Sequence, residues 1–313
     1  MQLVNMVDCF IEDVCAGKVN ETPIAYRTKL NHLIKFLGAE CGSITQADMD
    51  GFRRFLLNRK SIHRGSREIN RKLSLFTVRS ILATTRHFLR WATEHGHIPQ
   101  GISIKNIREP KPEPKAIEHE TVGKLLISAE QCGADWEHAR NRAIIYMLVD
   151  TGGRVGSLCN LEIDALDLDQ GYATAKDKGD QLSWLWFSEN TVMAIRAWLT
   201  KRAELEPKDY KLFTGARGWG LQREGIYRVL ERLAKAGGVT GRHNPHSFRH
   251  AFARDFLLAG GDLGAVSDLL NHSSIVVTHK YYAVWHKTEL KRFHHKYSPG
   301  RKLPPVGQGS AKP

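Results

Sequence analysis

The sequence contains no GxxxxGK[ST] phosphate-binding loop, no CxxC pair and no run of 18 apolar residues. Without the phosphate-binding loop, an ATP-driven mechanism is not expected. The five cysteines are odd in number and unpaired in spacing, which argues against a disulfide framework. No secretory apolar segment stands at the N-terminus, so the cysteines predict reduced thiols in a cytoplasmic protein. The missing apolar run argues against a membrane protein.

Acidic residues are scarce in one part of the chain. Between Arg53 and Arg108 there are thirteen Lys and Arg against two Glu, a net charge of +11 out of +13 for the whole chain. Most of the thirteen are arginine, whose planar guanidinium binds phosphate through two parallel hydrogen bonds. This concentration of charge predicts a nucleic-acid partner rather than a membrane surface.

Four segments follow from the pattern along the chain. Residues 1–107 show helical apolar periodicity and predict a small helical domain. Residues 108–115, "REPKPEPK", have alternating prolines and predict an extended linker. Residues 116–297 predict a mixed domain, in which helices flank two short β-like runs, "YATAK" and "SWLWF". Residues 298–313 predict a flexible tail. The expected fold class is therefore mainly α, with a small antiparallel sheet in the second domain.

Two helices of the first domain are predicted in detail. "ETPIAYRTKLNHLIKFLG" has Thr22 as a cap candidate and an apolar stripe that includes Ile24, and Gly38 ends it. In "SLFTVRSILATTRHFLRWATEHG" the apolar face begins at Leu75, and the basic residues lie off that face. Such a helix can bury one side and present arginines on the other.

Three pieces of the second domain carry candidate chemistry. "TGGR" places Arg154 after two glycines that permit a sharp turn. "HSFRH" places His246 and Arg249 three residues apart, on one face if the segment is helical. "NHSSIVVTHKYY" places His272 nine residues before Tyr281.

This order of residues resembles the tyrosine recombinase (phage integrase) family. "TGGR" is similar to the family's first arginine box, and the stretch from His246 to Tyr282 is similar to its second box at nearly every position. The resemblance covers about residues 1–297. It implies a site-specific DNA recombinase or integrase that needs neither ATP nor a metal or other cofactor.

The resemblance also implies a role for each residue. Tyr281 is the nucleophile that attacks the scissile phosphate and forms a 3′-phosphotyrosyl link. Arg154 and Arg249 clamp the phosphate, where guanidinium groups stabilise the charge of the five-coordinate transition state. His246 is the base or proton relay, and His272 donates a hydrogen bond to a phosphate oxygen.

The family's general acid is a lysine in a β-turn. Lys178 aligns with this turn, and Lys176 is the alternative. Tyr282 is the alternative nucleophile, although the spacing from His272 selects Tyr281. His250 is either a supporting or a purely structural residue. His243, His246 and His250 do not complete a familiar ligand set, so no metal site is expected.

Two positions depart from the family pattern. Ser157 stands where an acidic residue commonly supports the first arginine, which puts the positioning of Arg154 in question. Asn271 stands where glycine is usual, and asparagine tolerates the left-handed backbone that such a position needs.

The expected partner is double-stranded DNA, held in a C-shaped clamp between the two domains. Seven residues of the first domain are predicted to contact it: Arg64, Arg67, Arg71, Lys72, Arg79, Arg86 and Arg90. The resemblance implies a homotetramer on two sites, and the short N-terminal region favours a Xer-like or mobile-element recombinase.

Rival hypotheses explain part of the same pattern. A type IB topoisomerase or telomere resolvase uses the same nucleophile. A non-catalytic helix-turn-helix protein would explain the charge and the segment "ARDFLLAGGDLGAVSDLLNHSS", in which Asp262 caps a second helix.

Overall fold

The computed structural model describes residues 1–17, 21–61, 71–108, 116–176, 182–271, 291, 294–296 and 298. The chain divides into two compact units, Met1–Pro112 and Glu113–Pro313. The prediction of a mainly helical protein with a small antiparallel sheet is confirmed. The predicted proline linker falls almost wholly on residues 109–115, outside the described residues.

The first unit contains four described helices: α1 (Leu3–Cys15), α2 (Glu21–Leu37), α3 (Gln46–Asn58) and α4 (Leu75–Glu94). Local chemistry sets their ends. The Thr45 side chain accepts from the backbone of Asp48, whose carboxylate accepts from the backbone of Thr45, which fixes the start of α3. The Ser74 hydroxyl caps α4 in the same sense, and Gly38 follows α2 with a φ of +92°.

A short hairpin interrupts the helices of this unit. Strands β1 (Lys60–Ser61) and β2 (Arg71–Lys72) pair antiparallel, with Lys60 opposite Lys72. This hairpin was not predicted, because two-residue strands have too few positions to show an alternating pattern.

The core of the first unit is formed by all four helices. Its largest fully buried side chains include Phe10, Phe52 and Phe88. Two predicted core positions are wrong: Ile24 is 65% exposed and Leu75 is 51% exposed. Both lie in the first turn of a helix, beyond the part that the neighbouring helices cover. Thr22 is also no cap, because α2 already begins at Glu21.

The second unit has seven described helices, a 3₁₀ turn (Ile163–Ala165) and one sheet. The helices are α5 (His119–Gln131), α6 (Asp135–Thr151), α7 (Val155–Asn160), α8 (Glu189–Ala203), α9 (Arg223–Ala236), α10 (Pro245–Leu258) and α11 (Leu263–Leu269). Ile144, Ile195, Trp198, Phe213 and Phe248 are fully or almost fully buried in its core.

The sheet has the order β3-β4-β5, all antiparallel, with β3 (Leu166–Asp167), β4 (Tyr172–Lys176) and β5 (Leu182–Trp186). The two predicted strands are confirmed, and β3 was missed. Ala173, Ala175, Ser183 and Leu185 point into the core, as the alternation of strands requires. In the described part of the chain, no helix combines the length and apolar character that crossing a membrane requires.

Candidate active site

Arg154 lies at a sharp turn between two helices. Helix α6 ends at Thr151, and Gly152 caps it in the left-handed conformation with a φ of +57°. The Thr151 hydroxyl accepts from the backbone N–H of Gly153 at 3.0 Å, which holds the turn closed. Arg154 then serves as the N-cap residue of α7. The two glycines therefore set the direction in which Arg154 leaves the core.

Gly152 also lies too close to its neighbours for any side chain. A Cβ atom there would come within 2.8 Å of Phe252 and 2.9 Å of Leu270. We expect Gly152→Ala to lower the free energy of unfolding by about 2–4 kcal/mol, since a left-handed alanine and an overpacked contact each destabilise. Urea denaturation measures the change.

The matched control is Gly238→Ala. Gly238 has a similar φ of +62°, but a Cβ atom added there would have no neighbour within 4 Å. This variant should lose only about 1 kcal/mol, from backbone strain alone. Equal losses in the two variants would contradict the close contact at Gly152.

Arg249 is held inside the second unit at the first half of α10. The side chain of Asn244 caps this helix, and Pro245 occupies its first turn, where a missing N–H costs nothing. Arg249 is 6% exposed. Its Nη1 donates to the carbonyl oxygen of Gly152 at 3.0 Å, and its Nη2 donates to the carbonyl oxygen of Leu270 at 2.5 Å. The guanidinium thus ties the glycine turn to the end of α11.

Arg154 reaches the same end of α11. Its Nη2 donates to the carbonyl oxygen of Asn271 at 2.9 Å. Asn271 has a φ of +48°, so the left-handed backbone anticipated at this position is confirmed. Two guanidinium groups, 95 residues apart in sequence, therefore bind adjacent carbonyl groups immediately before His272.

The prediction that His246 and Arg249 share one helix is confirmed, but their environments differ. His246 lies exposed in the first turn of α10, whereas Arg249 is buried. The rings of His246 and His250 are 6.4 Å apart. The first-turn N–H groups of a helix favour an anion, so the position of His246 suits a phosphate-facing side chain.

Several predicted residues lie outside the described residues: His272, Tyr281, Tyr282 and Lys178. Lys176 is described and is exposed at the end of β4, opposite Leu182. Ser157 is 3% exposed within α7. Among the residues that the structure describes, no three His, Cys, Asp or Glu side chains are grouped to hold a metal ion, and His243 instead bonds the Gly241 carbonyl through Nδ1 at 2.9 Å.

The helix pair of the helix-turn-helix hypothesis is present. Helices α10 and α11 are joined through Gly260 and Gly261, and the Asp262 carboxylate caps α11 by accepting from Ala265. However, α10 carries the buried Arg249, and the carbonyl group just after α11 binds it. The pair therefore helps to build the arginine site, which that hypothesis leaves unexplained.

Predicted DNA-binding residues of the first unit differ in accessibility. Lys72, Arg86 and Arg90 are exposed. Arg79 is half-buried, and its Nη1 donates to the carbonyl oxygen of Ile107 at 2.9 Å, which anchors the chain after α4. Arg71 lies in β2, and Arg64 and Arg67 lie outside the described residues.

Backbone carbonyl groups are the part of the site that sequence reasoning missed. The carbonyl oxygens of Gly152, Leu270 and Asn271 each accept a hydrogen bond from a guanidinium. Because every residue has a backbone carbonyl group, the residue types do not indicate which ones accept. The one indication in the sequence was Asn271, because asparagine just after a helix often adopts the left-handed conformation, which sets the direction of its carbonyl group.

Two other buried groups of the second unit, Cys159 and Arg140, are not among the predicted site residues. Burial raises the pKa of the Cys159 thiol to about 11, so it stays protonated and unreactive near neutral pH. Burial likewise lowers the pKa of Arg140 to about 10, and this side chain spans Glu137, Asn141 and the carbonyl oxygen of Thr214.

Comparison with known proteins adds independent observations. The model of the phage integrase family matches residues 115–288. Tyrosine recombinase XerC of Corynebacterium glutamicum is 32% identical over 213 residues, covering 67% of this chain and 68% of the relative. Tyrosine recombinase XerD of Listeria monocytogenes is 27% identical over 284 residues, covering 88% and 91%.

Solved structures share the fold. The XerH site-specific recombinase bound to palindromic difH substrate, a post-cleavage complex, superposes with a TM-score of 0.72 at 19% identity, covering 96% of this chain and 85% of that one. The lambda integrase tetramer bound to a Holliday junction gives 0.67 at 17% identity, covering 90% and 77%.

Proposed function

The chain belongs to the phage integrase family, and from this membership we propose that it is a site-specific tyrosine recombinase. It cleaves and rejoins strands of double-stranded DNA through a covalent 3′-phosphotyrosyl intermediate. The type IB topoisomerase, telomere-resolvase and non-catalytic hypotheses are not favoured, since the curated relatives are named as Xer recombinases.

One observation carries the proposal. Arg154 and Arg249 come from different helices and meet at the adjacent carbonyl groups of Leu270 and Asn271. This places two permanent cations at the start of the segment that leads through His272 to Tyr281. The helix-turn-helix hypothesis does not explain why a buried Arg249 and a half-buried Arg154 meet here.

The chemistry follows from the charge. A phosphodiester gains negative charge in its five-coordinate transition state, and two forked guanidinium groups stabilise that charge without a metal. A phenol has a pKa near 10 and needs local activation to attack at neutral pH. The tyrosyl ester retains the energy of the broken bond, so resealing needs no ATP.

Each remaining group has one task. Tyr281 attacks and releases a 5′-hydroxyl, and His246, exposed at the start of α10, accepts or relays the tyrosine proton. His272 donates a hydrogen bond to a phosphate oxygen. Lys178 protonates the leaving oxygen, with the exposed Lys176 as the alternative acid.

Binding is divided between the segments. Residues 1–107 bind the core site of the DNA, and residues 116–297 carry the catalytic residues. Residues 108–115 connect these two domains, and residues 298–313 form the tail. Contacts to phosphate come from the set Arg64, Arg67, Arg71, Lys72, Arg79, Arg86 and Arg90.

Recombination exchanges four strands, so the working assembly is a homotetramer on two sites. The lambda integrase tetramer bound to a Holliday junction, which shares the fold, supports this. The protein acts in the cytoplasm, where its five free cysteines remain reduced.

The test is a covalent trap. Nicked duplexes taken from the DNA that flanks the gene are incubated with the protein in EDTA without ATP, and adducts that survive denaturation are counted. We expect an adduct at one inverted repeat. Tight binding with no adduct contradicts the proposal, and relaxation of supercoils without site preference would support a topoisomerase instead.

Asn271 offers a prediction on positioning. Asn271→Val forces a β-branched residue into the left-handed region, which costs about 1–2 kcal/mol and turns the carbonyl away from Arg154. We expect slower adduct formation and a lower unfolding free energy. Asn271→Gly, which adopts this backbone freely, should retain both, and a loss in the glycine variant would show that the side chain matters instead.

The exposed arginines of α4 give a prediction on salt. Arg86→Gln and Arg90→Gln should each weaken DNA binding by a similar factor for every DNA sequence. Each should also reduce the magnitude of the slope of log K, the DNA-binding constant, against log salt concentration by about 1. Fluorescence anisotropy at several salt concentrations measures the slope. Lys201→Gln is the control, because Asp135 and Glu204 already neutralise this lysine. An unchanged slope in both arginine variants would remove them from the interface.

A further inference from the structure

Asp150 connects the end of α6 to the end of the sheet. Its carboxylate accepts a hydrogen bond from the backbone N–H of Ser188 at 2.5 Å, across 38 positions of the sequence. Asp150 lies in the last turn of α6, directly before the glycine turn that leads to Arg154, and Ser188 follows shortly after β5 ends at Trp186. A charged acceptor makes such a bond stronger than one between neutral groups. The bond therefore joins the glycine turn to β5.

Gly153 makes a second contact between the same two parts. A Cβ atom added at Gly153 would come within 3.1 Å of Cδ2 of Leu185, so the Leu185 side chain packs against the backbone of the turn. Leu185 is 3% exposed and lies in the core. A strand that is held at two points is fixed in direction as well as in distance. Strand β5 is therefore held in place beside Arg154, the next residue of the turn.

Strand β4 is held together with β5. The two strands pair antiparallel, and the pairing extends to Lys176, the last residue of β4, opposite Leu182. Leu182 and Leu185 are three residues apart on β5, which corresponds to about 10 Å. Lys178, the other candidate acid, is two residues further along the chain than Lys176 and lies outside the described residues. The position of this end of β4 therefore depends on where β5 is held.

Transfer of a proton to the leaving group depends strongly on position. On the proposed function, cleavage breaks the bond between phosphorus and the 5′ oxygen, and the lysine gives its proton to that oxygen. A general acid typically contributes about 10²–10⁴-fold to the rate, and a misplacement of about 1 Å can cost about 10²-fold. Because Arg154 binds the phosphate, the acid has to be held at a fixed place relative to Arg154.

We propose that Asp150 is a positioning residue for the general acid. Through Ser188 it holds the hairpin of β4 and β5 in place relative to Arg154. This inference rests on the proposed function, because it concerns the leaving-group step of that reaction. Asp150 acts on this step only through the backbone of Ser188.

The test compares two leaving groups on the duplex that the covalent trap identifies. A 5′-phosphorothiolate carries sulfur in place of the scissile 5′ oxygen, and its thiolate leaves without a proton because a thiol has a pKa of about 8.5. We expect Asp150→Ala to slow single-turnover cleavage of the ordinary duplex by about 10–100-fold. Cleavage of the sulfur-containing duplex should slow by less than about threefold, since it needs no acid.

Asp150→Asn is the conservative variant. Its amide oxygen still accepts from the N–H of Ser188, so it should cleave the ordinary duplex within about threefold of the parent rate. Asp169→Ala is the matched control, because it removes another carboxylate of the same unit, one that pairs with Arg196. It should leave both rates unchanged. An asparagine variant as slow as the alanine variant would overturn the proposal.

Ser188→Pro removes the hydrogen-bond donor from the other side. Ser188 has a φ of −73°, which proline adopts freely. This variant should show the same selective loss on the ordinary duplex, and combining it with Asp150→Ala should cost no more than either change alone. It also serves as the test variant should Asp150→Ala fail to fold. Additive losses in the combined variant would overturn the proposal.

The parent chain and an arginine variant separate the two levels of inference. Cleavage of neither duplex by the parent would contradict the recombinase function itself. Cleavage of both by the parent, with equal losses or no loss on the two duplexes in Asp150→Ala, would overturn only the positioning role. Arg154→Lys should slow both duplexes, because both keep the non-bridging oxygens whose charge the guanidinium stabilises.

Discussion

Tyr281→Phe should abolish the covalent protein–DNA adduct. Phenylalanine fills the same space but carries no nucleophilic oxygen, so no phosphotyrosyl bond can form. We expect strand cleavage to fall by at least about 10⁴-fold, as for other enzymes that lose their nucleophile. Binding to the same duplex should stay within a factor of about two, since one neutral hydroxyl contributes little beside the phosphate contacts.

Tyr282→Phe is the matched control, because it removes the same atom one position further on. It should cleave at close to the rate of the unaltered protein. If Tyr281→Phe still forms the adduct while Tyr282→Phe does not, the nucleophile has been assigned to the wrong tyrosine. The measurement is denaturing gel electrophoresis of the adduct, followed by sequencing of the labelled peptide.

Arg249→Lys should lower the cleavage rate by about 10²–10³-fold, although the positive charge is kept. Lysine is a single point donor, whereas the guanidinium reaches the carbonyl oxygens of Gly152 and Leu270 from two nitrogens. Loss of that fork removes the link between the glycine turn and α11 and, on the proposed function, weakens the contact of this side chain with the phosphate. Single-turnover cleavage of the trapped substrate measures the rate.

Arg254→Lys is the control for this prediction. Arg254 lies in the same helix and pairs with Glu118 and Asp255 at the protein surface. It should change the cleavage rate less than about twofold, because lysine keeps the positive charge that these two carboxylates pair with. An equal loss of cleavage rate in both variants would mean that lysine disturbs α10 at either position, and that Arg249 has no specific role in cleavage.

Much of the fold was accessible from residue types alone. The left-handed residue at Asn271, the cap at Asp262, the turn at Gly152 and the strand "YATAK" are all local signals, and each is confirmed. Local signals succeed because capping, left-handed residues and strand alternation depend on a few neighbouring residues.

The predictions that failed concern properties that depend on distant parts of the chain. Whether Ile24 or Leu75 is covered is decided by where the other helices end, which periodicity does not record. The bond from Arg79 to the carbonyl oxygen of Ile107 was not predicted, and contact of Arg79 with DNA stays a prediction. The roles of Tyr281, His272 and Lys178 stay predictions, because they lie outside the described residues.

The bonds between Arg154, Arg249 and the carbonyl groups at 270–271 also bear on how the protein is made. They join positions separated by 117 and 21 residues, and the bond from Arg249 to Gly152 spans 97. Contacts of such high sequence separation form late in folding. A chain still on the ribosome cannot assemble the arginine pair until residue 271 has emerged. At about 5–20 residues per second, the nascent protein therefore spends most of its synthesis without the assembled arginine pair.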